Sequence, residues 1–209
     1  KCGNSLVSTD FFEMEPDVQI RKKVNPFNWQ IEFKNVFKQG GFDVVIGNPP
    51  YVDSRLNTTY LKDYCKERFI SFSAGKTNIY EVFLESGLQH LNNSGCLSFI
   101  IPIVLLNIDS CAPLRKYLID RNLFDEISYC DEAVFKDVNV DTMVLKLNKK
   151  NSFQGDLQIK KYNFGFVEIA NSQKIPFDEL LKSAKIVLKN DAVSDVIIKS
   201  KYKTGKLSE

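Results

Sequence analysis

The chain has 209 residues, 44% of them hydrophobic and 26% charged, with 28 basic side chains against 26 acidic; these proportions fit a globular domain and exclude a disordered or fibrous chain. Its longest apolar run, "LSFIIPIVLL" from Leu97 to Leu106, holds a proline and falls well short of the roughly 20 residues that span a bilayer, so no membrane segment is expected. The net charge of +2 is unevenly spread: residues 149–209 carry 12 lysines against 7 acids, and residues 1–148 carry 16 basic against 19 acidic side chains. That lysine-rich third either faces phosphates or is a solvated surface, and the lack of arginine and interleaved aromatics there favours the surface.

In chain order, "KCGNSLV" reads as a strand end and "EMEPDVQIRKKVNPFNWQ" as a polar, proline-punctuated connection. The opening at Lys1 shows no basic, apolar leader, which fits a piece of a longer cytoplasmic protein. "FDVVIG" and "CLSFIIP" are β-branched-rich runs suited to central strands buried on both faces. Between them, "TNIYEVFLESGLQHL" has helical spacing that stops at Asn92, Asn93 and Gly95. "APLRKYLIDR" predicts a second helix with proline near its start, and "FDEISYC" and "DTMVLKLN" two more strands. Beyond Lys149, "FQGDLQIKKYNF" suggests a hairpin and "PFDELLKSAKIVLK" a helix. Strands alternating with helices predict an α/β fold, a parallel sheet covered by helices.

Cys2, Cys65, Cys96, Cys111 and Cys130 are scattered without a C-x-x-C pair, and His90 is the lone imidazole. Neither a zinc site nor a disulfide framework is expected; the cysteines read as small thiols in a reducing compartment, and His90 as a favourable charge at a helix C-terminus.

The chemistry concentrates in "FDVVIGNPPYVDSR". In an open α/β sheet, ligands bind beyond the carboxyl ends of the strands, where Asn48 falls. Pro49 and Pro50 fix φ and lack N–H groups, which stiffens the backbone after Asn48. The Asn48 amide oxygen and the Pro49 carbonyl form a pair of acceptors for a planar –NH₂ group, and Tyr51 offers a flat face for a ring.

Asn48-Pro49-Pro50-Tyr51 resembles the N-P-P-Y motif of S-adenosylmethionine-dependent amino-methyltransferases. The series "FDVVIGNPPY", "TNIYEVFLESGLQHLNNSGCLSFIIP" and "LRKYLIDRNLFDEISYCDEAVFKDVNVDTMVLKL" is similar in order and spacing to gamma-class adenine-specific DNA methyltransferases, most of all the type IIG restriction-modification and phage-defence methylases. The likeness covers roughly residues 1–150. It implies a Rossmann-like sheet with helices on both faces, S-adenosylmethionine as cofactor and double-stranded DNA as partner. It further implies a catalytic portion over residues 1–148, and an extension over 149–209 running toward a target-recognition domain in the rest of the polypeptide. By the same resemblance Asn48, Pro49, Pro50 and Tyr51 are catalytic, Tyr51 and Phe135 flank a flipped base, and Asn4, Ser5 and Asn48 contact the cofactor. The family's acidic residue is replaced by asparagine or serine in "CGNSL", and its glycine-rich cofactor loop is not in this sequence.

Other readings compete. A protein-glutamine methyltransferase would use N-P-P-Y in the same way. Pro16-Asp17 with Glu32-Phe33-Lys34 fits the loose PD…E-x-K nuclease pattern, "DVNVDT" imitates half a calcium loop, and a noncatalytic DNA-binding or assembly module is a further possibility.

Overall fold

The computed structural model describes residues 2–51, 59–74, 77–130, 141–150, 155–163, 173–188 and 197–200. In order these form helices α1 (Phe11–Met14), α2 (Val18–Val24), α3 (Trp29–Glu32) and α4 (Lys34–Lys38); strand β1 (Phe42–Gly47); α5 (Thr59–Arg68) and α6 (Ile79–His90); β2 (Leu91–Pro102); α7 (Ala112–Asp120); β3 (Phe124–Cys130), β4 (Thr142–Asn148), β5 (Leu157–Tyr162) and β6 (Gln173–Ile175); α8 (Phe177–Leu181); and β7 (Ser183–Val187) with β8 (Ile197–Ser200). Short 3₁₀ turns at Ile70–Ala74, Ile103–Leu106 and Asp109–Cys111 complete the set.

Six strands make one mixed sheet in the order β1-β2-β4-β3-β5-β6, and β7 pairs antiparallel with β8. The β1–β2 and β3–β5 pairs are parallel, whereas β4 runs antiparallel between β2 and β3. This is a Rossmann-like α/β sheet. The first parallel pair arises as the sequence pattern requires, because the connection from β1 to β2 carries α5 and α6 and so supplies a crossover.

The core lies on one face. Leu97 pairs with Leu147, Phe99 with Leu145, Ile101 with Met143, and Ile127 with both Leu145 and Ile159. All these side chains are buried, together with Leu84 and Leu88 of α6 and Leu114 and Leu118 of α7. On the other face Val144 is 40% exposed, and on the edge strand β1 Val44 and Ile46 are 51% and 79% exposed. β1 and β2 are therefore not buried on both faces. β1 is an edge strand among the described residues, and β2 alternates between buried and half-buried positions toward its carboxyl end.

Several segments differ from expectation for local reasons. "KCGNSLV" contributes only an isolated bridge, Asn4 to Pro26. The polar connection after it is largely helical. Asp17 caps α2 by accepting from the Gln19 and Ile20 amides, Asn28 caps α3 through the Ile31 amide, and Asn25 ends α2 in the left-handed conformation. Among its described residues "FQGDLQIKKYNF" gives one strand, β5, rather than a hairpin. "PFDELLKSAKIVLK" splits into α8 and β7, because Ser183 to Val187 pair with a partner strand. β5 and β6 extend the main sheet, and Leu157, Ile159, Ile175, Leu180 and Ile186 join its core.

His90 sits in the last turn of α6; its Nδ1 donates to the Ser86 carbonyl at 2.6 Å, and burial lowers its pKa, which disfavours the charge expected there. The cation serving that helix end is Lys149, whose Nζ donates to the carbonyls of Leu88 at 3.3 Å and Leu91 at 2.8 Å. Among the described residues no helix is long and apolar enough to cross a membrane, and no cluster of three or more His, Cys, Asp or Glu side chains is placed to hold a metal ion. Cys65 and Cys111 are buried; burial pushes their thiols up to about 12 and about 11.

Candidate active site

Strand β1 enters from a tight approach. Gly41 has φ +122°, and a Cβ there would lie 2.5 Å from the His90 carbonyl oxygen, so only glycine lets β1 start against the end of α6. Val44, Val45 and Ile46 then extend the chain in register with Cys96, Leu97 and Ser98 of β2. Two prolines end the ladder, since neither can donate a strand hydrogen bond. Asn48 is left exposed, Pro49 is buried, Pro50 is exposed and Tyr51 is half-buried.

Tyr51 folds back over the strand end. Its hydroxyl lies 3.1 Å from Asn48 Oδ1 and 2.9 Å from the Ile100 carbonyl oxygen of β2. Its ring meets Tyr80 of α6 edge-on, with centroids 6.3 Å apart and planes at 89°. Tyr80 is buried, and its hydroxyl lies 3.6 Å from Cys111 Sγ. Burial raises the Tyr51 phenol above its ordinary pKa, so it stays a hydroxyl donor near neutral pH. Together these contacts hold an amide oxygen, two rigid prolines and an aromatic ring at the carboxyl end of a strand.

From this corner a groove of about 470 Å³ runs along β1 toward the end of α6. Asn48, Pro49, Pro50 and Ser5 line it, with Phe83 and Gly87 of α6, Phe99 of β2, and Trp29. The Trp29 indole N–H donates to the Ser5 carbonyl at 3.0 Å. Its ring packs among Phe27, Phe33, Phe42 and His90, with centroids 5.0 to 5.9 Å away. A volume of this order, with mostly apolar walls and a few polar groups, Asn48 at one end and Ser86 and His90 at the other, suits a molecule of nucleoside size.

The predicted site residues divide accordingly. Asn48, Pro49, Pro50 and Ser5 line one groove, and Tyr51 adjoins it. Asn4 does not line it: its Oδ1 accepts from the Leu6 amide at 3.2 Å in a local turn, and its backbone N–H donates to the Asn25 carbonyl. Phe135 lies outside the described residues, as does most of "DVNVDT". Asp17 of the nuclease-like pattern is spent on the cap of α2. Trp29 and Phe83 join the groove without a motif to mark them; the signal for Phe83 in the sequence is an aromatic beside Val82 in the apolar run of α6.

The residues present fit one wall of an S-adenosylmethionine site in kind: Phe83 and Trp29 are aromatic, and Asn48 and Ser5 are polar.

The family described as "Eco57I restriction-modification methylase" matches residues 4–135. RM.MjaORFECS2P of Methanocaldococcus jannaschii is 31% identical over 178 residues, which are 81% of this chain and 14% of that protein. The "Type II restriction enzyme and methyltransferase RM.Eco57I" of Escherichia coli is 30% identical over 179 residues, 82% of this chain and 16% of that protein. The chain thus spans about a sixth or less of the length of these relatives. The crystal structure of the type IIG restriction endonuclease BpuSI superposes with a TM-score of 0.53 at 18% identity, over 68% of this chain and 20% of that one, a likeness of fold. With 132 of its 209 residues inside the family match and an N-P-P-Y corner at the head of its groove, the chain belongs to the Eco57I restriction-modification methylases.

Proposed function

We propose that this chain is the catalytic segment of an adenine-specific DNA methyltransferase that modifies the N6 amino group of a base flipped from the duplex. In this reading it works within a larger cytoplasmic restriction-modification or phage-defence polypeptide and is nearly inactive alone. Residues 149–209 lead on toward the part that reads DNA sequence. The observation that carries the proposal is the position of Asn48: an exposed amide at the carboxyl end of β1, fixed by two prolines, at the mouth of a groove of nucleoside size.

The exocyclic nitrogen of adenine is a poor nucleophile because its lone pair is delocalised into the ring. Asn48 Oδ1 and the Pro49 carbonyl accept its two hydrogens, which lets the nitrogen pyramidalise and aim its lone pair along the groove. S-adenosylmethionine, when bound, supplies the electrophilic methyl group there. The proton is lost after attack, so no side chain acts as a base beforehand. The work of the protein is alignment and a fixed pair of acceptors that stabilise positive charge on nitrogen. Tyr51 stacks on the base, a contact worth about 1–3 kcal/mol that offsets part of the unstacking cost. Phe135 is proposed for the opposite side of the base, and Ser5 and Asn48 for cofactor contacts.

Labelled-methyl transfer by the full-length polypeptide, followed by mass spectrometry of the product, tests this. Wild type should yield N6-methyladenine, and Asn48→Ala should lower the rate by about 10²- to 10³-fold, the usual effect of removing one preorganised polar group. Methylglutamine as product would replace the reading by the protein-modifying one. No product from wild type would leave a DNA-binding module.

A further inference from the structure

The Tyr51 hydroxyl has one proton and two acceptors within reach, Asn48 Oδ1 at 3.1 Å and the Ile100 carbonyl oxygen at 2.9 Å. A single O–H cannot satisfy both fully, so the two acceptors share one donor. The ring cannot easily move away, because it packs against the main core and stands edge-on to the buried Tyr80. Asn48, by contrast, is exposed, and a free asparagine amide rotates broadly about its last torsion.

We infer that the Tyr51 hydroxyl is a positioning group and placeholder: it keeps Asn48 Oδ1 turned toward the site until a substrate amine arrives, then gives its proton wholly to the Ile100 carbonyl. This inference rests on the reading in which Asn48 accepts from the amine. The exchange loses no hydrogen bond, since the amine N–H replaces the phenol O–H at Asn48 and the phenol keeps Ile100. It separates two functions within one side chain, stacking by the ring and alignment of Asn48 by the hydroxyl. It also links the site to β2, because the anchor is the backbone of the neighbouring strand rather than another loop.

The test is Tyr51→Phe in the full-length polypeptide, which keeps the ring and removes the hydroxyl. Single-turnover methyl transfer is measured on a duplex carrying the mapped modification site, and base extrusion on the same duplex with 2-aminopurine at the target position. The expected result is a transfer rate about tenfold lower, the scale of one net hydrogen bond, with KM for DNA and 2-aminopurine fluorescence close to wild type. Tyr51→Ala should lower both rate and fluorescence. An unchanged rate in Tyr51→Phe overturns the inference, and so does a loss of fluorescence equal to the loss of rate, which would assign the hydroxyl to holding the ring. Asn48→Ala, run in parallel, separates the two levels: if it transfers normally, the acceptor reading itself fails, whereas an inactive Asn48→Ala beside a fully active Tyr51→Phe removes only the placeholder.

Discussion

Glu81, in the first turn of α6, is 1% exposed. Its Oε1 accepts from the Asn78 amide at 3.0 Å, the return half of a capping box, while its Oε2 has no hydrogen-bond partner among the described residues. Burial pushes this carboxyl up to about 7, with the charge of Glu85 adding to the effect. A carboxyl whose folded pKa lies above its unfolded value of 4.5 stabilises the fold fully below pH 4.5, and that contribution is lost as pH rises through 7. Glu81→Gln keeps the acceptor for Asn78 and removes the ionisation. It should therefore be more stable than wild type at pH 8, by about 3 kcal/mol at most, and nearly equal to it at pH 4.5. Urea denaturation followed by Trp29 fluorescence at the two pH values checks the sign. At this scale Asn48 was legible because its neighbours in sequence, Pro49, Pro50 and Tyr51, are also its neighbours in space. Trp29 was not, since the rings that surround it come from β1 and the end of α6 as well as its own segment.

Helix α6 was legible as an element from its apolar period of 3.6, but it ends at His90, and Asn92, Asn93 and Gly95, where the spacing stops, already belong to β2. Its packing on the sheet depends on a detail that periodicity cannot reveal. A Cβ at Gly87 would sit 2.7 Å from Leu97 Cδ1 and 3.3 Å from Phe99 Cζ, so the helix lies unusually close to β2. Gly87→Val should destabilise the chain by about 1–3 kcal/mol through overpacking, seen as a lower urea midpoint at unchanged slope. It should also weaken cofactor binding, because Gly87 lines the groove. The end of the chain was harder to read. "PFDELLKSAKIVLK" has enough apolar residues for a helix, but Lys185, Ile186 and Val187 pair with Lys199, Ile198 and Ile197. A partner ten or more residues away outweighs local propensity, which is a weak guide for five-residue runs.

In the whole molecule the two faces of the sheet differ. One carries the core; the other is mixed, with Lys160 paired to Glu126 at 2.6 Å and Lys146 to Asp125 at 2.8 Å toward one side, and Val44, Ile46 and Val144 exposed toward β1. Surface pairs of this kind contribute little, about 0–1 kcal/mol each. The exposed edge matters more, because an apolar strand that has no partner on one side among the described residues is a template for association. The 209-residue chain expressed by itself should associate as its concentration rises, and Ile46→Lys should reduce this in light scattering without altering the circular dichroism. The α/β class was legible from the alternation of strands and helices. That β1 would stand at the edge was not, because a β-branched run of six looks alike whether one side or both are covered.

The bond from Tyr51 to Ile100 also fixes when the site comes into being. It closes a loop of 49 residues, at an entropic cost on the order of 3–4 kcal/mol, and parallel pairing between β1 and β2 rewards that closure only after α5 and α6 have collapsed between them. Contacts of such range form late in folding. A half-folded or still-emerging chain therefore carries Asn48-Pro49-Pro50-Tyr51 as an unanchored turn, and the corner takes its shape only with the second strand.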